Sequence, residues 1–175
     1  MTANLETMTM TEYIGMAKEL MTNMVKRLPE PVDTTILVVG KENIFHFVMT
    51  GEVPNNARAK SGVVALAKEA VKRENASAVL IFGDLWLAEA PIEDEKLRER
   101  IDAIGLEEAG RLGLVKHREA LWCKIMTRTQ GEKVFLQFYR RENGGRDIVI
   151  EEAKEPAFQM GVGRMSDFFP PLATA

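Results

Sequence analysis

The sequence predicts a single α+β domain with a mainly antiparallel sheet of five to six strands and two main helices on one face. Three observations predict this class. A short apolar run at 77–89 has the composition of a buried strand, two amphipathic helical segments precede it, and three strand-like segments follow it. The predicted element order is α-β-β-α-β-(α)-β-β-β. Residues 1–156 are expected to form the domain, and residues 157–175 a tail that packs on the domain or on a partner subunit.

The central strand is predicted from residues 78–82, which are consecutively apolar, rich in β-branched and aromatic types, and too few for a buried helix. A strand that is apolar on both faces is covered on both faces, so we place it in the middle of the sheet. Gly83 interrupts the run and Asp84 follows it. This pattern predicts a β-bulge that turns the carboxylate toward a backbone N–H or an arginine. A functional carboxylate is the alternative.

The first helix is predicted to begin at a capping box, because Thr9 and Glu12 have the required spacing. Apolar residues then recur at steps of three and four residues until Pro29 and Pro31 end the helix. This methionine-rich stripe is expected to pack in the core, with part of a subunit interface as the alternative. The stripe consists of Tyr13, Ile14, Ala17, Leu20, Met21, Met24, Val25 and Leu28.

A hairpin is predicted from two strand-like segments at 34–39 and 44–49. His46 lies in its second strand, where we expect a half-buried histidine with a satisfied ring; a ligand-binding histidine is the alternative. A second amphipathic helix is predicted at 57–74. Its expected buried stripe consists of Val63, Leu66, Ala67, Ala70 and Val71.

The segment at 91–116 is the least regular part of the chain and predicts one short amphipathic helix among charged residues and glycines. A connection of this length in a compact domain is either a lid or binding loop or a structural insertion. A meander of three strands follows, at 119–128, 133–141 and 147–152.

No catalytic motif stands out. With two histidines and one cysteine in the chain, a zinc site is not expected, and we expect no cofactor. The weak catalytic candidates are Asp84, Glu89, His46 and His117, which would serve a small-molecule enzyme. Cys123 lies between apolar neighbours on its face of the strand and is expected to be an inert core thiol.

A partner surface is predicted on the meander. Because side chains alternate along strands, one face of these strands is assigned to the core, and the opposite face is too aromatic to be left to water. A symmetric homodimer in which the tail takes part would cover it. The predicted ligand or partner surface consists of Trp122, Met126, Phe135 and Tyr139. The assigned core face carries Leu121, Cys123, Ile125, Val134, Leu136 and Phe138.

Composition narrows the function classes. The net charge of −3 does not favour nucleic acid or an anionic membrane as partner, although basic and aromatic residues in the meander could stack bases. No run is long enough to cross a bilayer, no signal peptide is recognisable, and a single cysteine fits a reducing compartment, so we expect a cytoplasmic protein.

The element order resembles that of roadblock-like and profilin-like domains, which are binding modules. It is also similar to deaminase-like and JAB-like folds, whose metal-ligand motifs this chain lacks. These resemblances concern topology alone. The sequence therefore favours a non-catalytic binding or assembly protein that acts as a homo-oligomer, with a further protein partner left open; the alternative is a small-molecule enzyme.

Overall fold

The computed structural model describes residues 8–27, 33–50, 56–89, 94–143, 147–156 and 168–169, without the side chains of Arg27, Trp86, Ala88, Glu89, Leu106, Glu107 and His117. These residues form one open, antiparallel six-stranded sheet with four helices, so the predicted α+β class and element order are confirmed. The elements are α1 (Met10–Arg27), β1 (Thr34–Val39), β2 (Ile44–Met49), α2 (Ala57–Arg73), β3 (Ala78–Glu89), α3 (Glu95–Ile104), α4 (Leu106–Arg111), β4 (Lys116–Thr127), β5 (Gly131–Glu142) and β6 (Asp147–Ile150).

The strand order is β2-β1-β3-β4-β5-β6, which places β3 inside the sheet as predicted. Strands β3 and β4 pair without interruption over their whole length, so the predicted bulge at Gly83 is wrong. The glycine has another physical reason. It lies directly opposite Trp122, and a Cβ on Gly83 would stand 2.5 Å from the indole Nε1. The glycine thus permits a close approach of the indole to the strand backbone.

The two main helices lie on opposite faces of the sheet. Buried residues of α1 pack with Leu80 and Phe82 of β3, whereas buried residues of α2 pack with the alternate residues Val79 and Ile81. Successive side chains of a strand point to opposite faces, so the prediction of two helices on one face is wrong. The reason is that β1 and β3 are apolar along most of their buried length and need cover on both faces.

Two buried clusters follow from this arrangement. The α1-face cluster consists of Tyr13, Ala17, Met21, Val25, Leu37, Val39, Ala78, Leu80, Phe82, Leu121, Cys123, Ile125, Phe135 and Tyr139. The α2-face cluster consists of Ile36, Val38, Met49, Val64, Ala67, Ala70, Val71, Ala76, Val79, Ile81, Ala120, Trp122, Met126, Leu136, Phe138 and Phe168.

The register between β4 and β5 corrects the predicted faces of the meander. Thr127 pairs with Gly131 across a three-residue turn, and Gly131 has a φ of 81°. This turn pairs Trp122 with Leu136 and Cys123 with Phe135, and directly paired residues share a face. The predicted assignment of Leu136 and Phe138 to the same face as Cys123 is therefore wrong, because an odd number of turn residues exchanges the faces.

The helix boundaries follow their caps. The backbone N–H of Thr9 donates to Glu12 Oε2 at 2.6 Å, and the N–H of Glu12 donates to Thr9 Oγ1 at 3.3 Å, which confirms the capping box. Asn56 caps α2 by accepting from two backbone N–H groups.

The buried face of α2 differs from the predicted one at one position. Leu66 is 63% exposed, so its place in the predicted buried stripe is wrong; Val64 is buried instead.

The connection between β3 and β4 holds two short helices instead of one. Asp94 caps α3, and Gly105, with a φ of 82°, separates α3 from α4. Ile101, Ala109 and Val115 form a small core of their own. Residues 90–93 lie outside the described part of the chain, and whether this segment acts as a lid or as a structural insertion stays open.

Candidate functional site

The structure does not gather the predicted catalytic candidates. His46 is exposed on β2 opposite Leu37, which in turn pairs with Leu80 of β3. His46 is therefore two strands across the sheet and four residues along it from Asp84, roughly 10 Å by 13 Å. The expectation of a half-buried histidine is wrong, because β2 is an edge strand of the described sheet.

The other two candidates lie near the end of the β3–β4 pair. The backbone of Glu89 pairs with Lys116, and that of His117 pairs with Ala88. Their side chains lie outside the described part of the structure, so a role for either one stays a prediction.

Asp84 has a satisfied carboxylate, as predicted, and a tyrosine is among its partners. The hydroxyl of Tyr139 donates to Asp84 Oδ1 at 2.8 Å and so joins β3 to β5 across β4. Burial raises the pKa of Tyr139 strongly, and the hydrogen bond to Asp84 and the negative charges of Asp84 and Glu119 raise it further, with Arg141 acting in the opposite direction. The hydroxyl therefore stays protonated at neutral pH, and this pair is a structural tie.

The single thiol is a buried core group, as predicted, and its lack of reactivity stays a prediction. Cys123 is fully buried in the α1-face cluster, and burial raises the pKa of its thiol well above the ordinary value. Among the described residues, no group of three or more histidine, cysteine, aspartate and glutamate side chains could hold a metal ion.

The predicted partner surface is divided between the two faces of the sheet. Trp122 and Met126 belong to the α2-face cluster, whereas Phe135 and Tyr139 belong to the α1-face cluster, and all four are at most 7% exposed. The prediction that they form one open patch is wrong because of the corrected register. On the α2 face, Phe168 packs in the same cluster as Trp122, so part of the C-terminal tail contributes to the cover of this side.

Most of the described basic residues of the meander are engaged in ion pairs, which leaves little charge there for a nucleic-acid surface. Buried Lys124 contacts Glu132 at 2.8 Å. Further ion pairs join Lys133 to Glu155, Arg140 to Glu142 and Arg141 to Glu119.

A groove that the sequence did not predict lies on the α1 face of the sheet, between α1 and the β5–β6 pair. Its volume is about 500 Å³. Helix α1 packs over β4 and makes a few contacts with the edge strand β6, and the space between α1 and β6 stays open. The groove is lined by Lys18, Thr22, Lys26, Gln137, Ile148, Ile150, Glu151, Glu152 and Ala153.

The wall and floor of the groove have different chemistry. Lys18, Thr22 and Lys26 are spaced by four residues and so form one stripe along α1. Ile148 and Ile150 of β6 pack against the edge of the α1-face cluster and give the groove an apolar floor. The groove thus offers an apolar surface beside a polar, basic wall.

The segment after β6 contains a β-bulge. The N–H of Glu151 donates to Phe138 O at 2.9 Å, and Lys154 exchanges two backbone hydrogen bonds with Leu136. Two residues of β5 therefore face three on the neighbouring segment, so one residue is extra. The bulged residues Glu151 to Ala153 close one end of the groove, opposite Gln137 of β5.

Gln137 is the unusual residue of this groove. It is 4% exposed, and its Nε2 donates to Thr22 Oγ1 at 3.1 Å and to the backbone carbonyl of Glu151 at 3.5 Å. The Thr22 hydroxyl can donate or accept, whereas a carbonyl can only accept, so the contact with Glu151 is the one that favours this orientation of the amide. The other amide atom, Oε1, is buried and has no hydrogen-bond partner among the described residues. An acceptor left in this state costs about 1–3 kcal/mol.

The charges around the groove are unevenly compensated. Glu151 forms an ion pair with Arg118 at 2.7 Å, so its negative charge is compensated. Lys18 Nζ lies 5.7 Å from the ring centroid of Phe135, a weak cation–π contact, and neither Lys18 nor Lys26 is in an ion pair with a described residue. Two ammonium groups therefore lie along one wall without a carboxylate partner in the described part of the chain.

A second, smaller cavity of about 220 Å³ lies at the start of α1. Polar groups of its lining make hydrogen bonds within the protein. Tyr13 Oη and Ser77 Oγ are 2.8 Å apart, Arg128 Nε donates to the Ala76 carbonyl at 3.0 Å, and Gln130 holds the backbone of Met10 at 2.6 Å. Because these polar groups have partners within the protein, we assign this cavity no ligand.

Comparison of the chain with models of known protein families, with curated proteins and with solved structures finds no match. Within the described residues, no helix combines the length and apolarity that a membrane crossing requires. The groove and its residues are therefore the basis for a functional proposal.

Proposed function

We propose that this protein is a non-catalytic binding protein and that the groove between α1 and the β5–β6 pair holds its ligand. The observation that carries the proposal is the groove itself, a concave space of about 500 Å³ with an apolar floor and a basic wall.

The size and lining of the groove support this proposal. Ligand sites are concave and largely apolar, with a few polar groups that fix orientation, and their volumes are of order 300–1,000 Å³. A groove of about 500 Å³ with an isoleucine floor and a basic wall has this character. Its parts lie on a long helix and on paired strands, which hold the polar groups in fixed positions.

A titration with small fragments, followed by ¹H–¹⁵N NMR of the full chain, tests the proposal. We expect some fragments to shift the side-chain amide signals of Gln137 together with the backbone signals of Lys18, Thr22 and Ile150, because all four line the groove. Tyr13 and Ser77, at the second cavity, are the internal control and should not move. Shifts that scatter over the surface, or that cluster at the second cavity, would contradict the proposal.

Self-association and a cytoplasmic location remain part of the proposal. The surface from which a homodimer was predicted is buried on two faces, so the support now comes from the exposed edge strand β2, where Val48 is 49% exposed. Sedimentation velocity of the full chain at micromolar concentration tests this part. A dimer that Val48→Lys disrupts is the expected result, and a monomer at every concentration would contradict it.

A further inference from the structure

The open edge of the sheet and one flank of α2 indicate how two copies of the chain assemble, an inference that rests on the proposed self-association. We propose that two copies pair their β2 strands antiparallel about a twofold axis at His46, which joins the two sheets into one. The two α2 helices then pack against each other across this axis through Leu66. The partner is thus a second copy of this chain.

The two edges of the sheet differ in how well they are protected against pairing. Strand β6 has four residues and runs into a β-bulge, and both features blunt an edge. Strand β2 has six residues with no proline and no acidic, lysine or arginine side chain, and its His46 and Val48 are exposed. Within the described sheet, β2 is therefore the edge that is open to a second strand.

The backbone of β2 determines the register of this pairing. The N–H of Gly40 donates to the carbonyl of Asn43 at 2.9 Å, and along an antiparallel ladder hydrogen-bonded pairs alternate with non-hydrogen-bonded pairs. Every second residue of β2 therefore directs its N–H and C=O away from β1. These residues are Ile44, His46 and Val48. A register centred on His46 pairs all three with the outward residues of a second copy, and both copies then carry α2 on the same face of the joined sheet.

The position of α2 brings a second contact into the same interface. Helix α2 packs over β1 and β2, so its axis lies about one strand spacing, ~4.8 Å, from the twofold axis. The two α2 axes are then about 10 Å apart, a distance at which helices pack. Pairing of the strands therefore also brings the helices together.

Leu66 lies on the flank of α2 that faces the open edge. The guanidinium of Arg73 lies 5.7 Å from the ring centroid of Phe45 in β2, so this flank is the one above the edge strand. Leu66 precedes Arg73 by seven residues, close to two helical turns, and so shares the flank. It is 63% exposed, and the partly buried Phe47 and Val63 continue the apolar rim below it. A second α2 covers this leucine.

The charges at the two ends of the interface are complementary. Helix α2 runs antiparallel to β2, since its last residue, Arg73, lies over Phe45 near the start of the strand. Antiparallel pairing therefore brings the hairpin turn of one copy, with the exposed Glu42, toward the N-terminal end of α2 in the other. The first turn of this helix contains Arg58 and no acidic residue, and a carboxylate is favourable beside a helix N-terminus.

Cysteine cross-linking of the full chain tests the register. The Cα atoms of the two His46 residues would be about 5.5 Å apart, within the range of a disulfide, and those of the two Val48 residues about 14 Å apart. Oxidation with copper phenanthroline, at a concentration where the parent chain is dimeric, should therefore link His46→Cys chains. It should leave the matched control Val48→Cys unlinked. The native Cys123 is buried and should stay unlinked in both.

Leu66→Arg tests the helix contact. Each dimer loses two leucine contacts, so its dissociation constant from sedimentation should rise by at least about tenfold. Ala65→Arg is the matched control, since Ala65 is exposed on the same helix and lies about 100° around it from Leu66. This control should change the constant by less than about twofold.

The outcomes separate this arrangement from self-association itself. If the parent chain is a dimer that Val48→Lys disrupts, while Leu66→Arg and Ala65→Arg act alike, self-association stands and the helix contact is overturned. If Val48→Cys chains link as readily as His46→Cys chains, or if His46→Cys chains stay unlinked, the register is overturned. If the parent chain is monomeric at every concentration, self-association and this arrangement both fail.

Discussion

Gly83→Ala is expected to destabilise the protein, although alanine is usually preferred to glycine inside a strand. The glycine lies opposite Trp122 in the β3–β4 pair. A Cβ at this position would stand 2.5 Å from Nε1, 2.9 Å from Cε2 and 3.2 Å from Cζ2 of the indole. These distances are below ordinary van der Waals contact, so the ring or the strand must move.

The size of the effect follows from the surroundings of the ring. Trp122 is 7% exposed and packs in the α2-face cluster, so the indole cannot retreat without disturbing its neighbours. Overpacking of this kind costs about 1–3 kcal/mol. For a protein of this size, that loss lowers Tm by roughly 2–12 °C.

Thermal and urea unfolding of four variants, including Trp122→Leu alone, would test this reasoning. Gly62→Ala is the control, since nothing lies within 4 Å of its added Cβ on α2, and it should stabilise by about 1 kcal/mol. On a Trp122→Leu background, Gly83→Ala should no longer destabilise, a coupling of about 1–3 kcal/mol. If Gly83→Ala unfolds at or above the parental temperature, the indole does not lie on Gly83 and the reasoning is refuted.

Four further predictions concern stability and reactivity. Asp84→Ala and Tyr139→Phe should each lose about 1.5–3 kcal/mol in urea unfolding, and the double variant should lose little more than either one; additive losses would show that the two groups are not bonded. Because the folded-state pKa of Tyr139 is raised, its contribution is complete below roughly pH 10 and is lost as the pH rises further, so Tyr139→Phe should flatten the alkaline fall in Tm. Leu66→Ser should change stability by less than about 0.5 kcal/mol while Val64→Ala loses about 1–3 kcal/mol, and the reverse order in thermal unfolding would contradict the observed face of α2. Cys123 should react with a thiol reagent only in denaturant, and fast labelling of the native protein would show that it is accessible.

Local patterns were enough to predict most elements of the fold. The capping box at Thr9, the β1–β2 hairpin and the buried run of β3 depend on residues close in the chain, and the structure places each of them where the pattern indicated. The faces of the sheet to which the β5 side chains point depended on the length of one turn. The turn of three residues after Thr127 pairs odd-numbered residues of β4 with odd-numbered residues of β5. A turn one residue longer would have moved every side chain of β5 to the opposite face.

The groove could not be predicted because it depends on where α1 crosses the sheet. Lys18, Thr22 and Lys26 were visible as a spaced polar stripe, but nothing in the sequence places that stripe above β6. One signal was present. Gln137 interrupts an apolar strand much as Asp84 interrupts β3, and a polar residue in such a run needs a partner. Asp84 accepts a hydrogen bond from Tyr139, whereas Oε1 of Gln137 has no hydrogen-bond partner among the described residues.

The central claim is that the groove beside α1 stays open and binds a ligand. A crystal structure of the full chain, at a resolution that shows ordered water, tests it most directly. We expect an open groove that holds ordered water or a small molecule between Thr22 and Ile150. A groove filled by another part of the chain, with Gln137 Oε1 bonded to that segment, would contradict the claim.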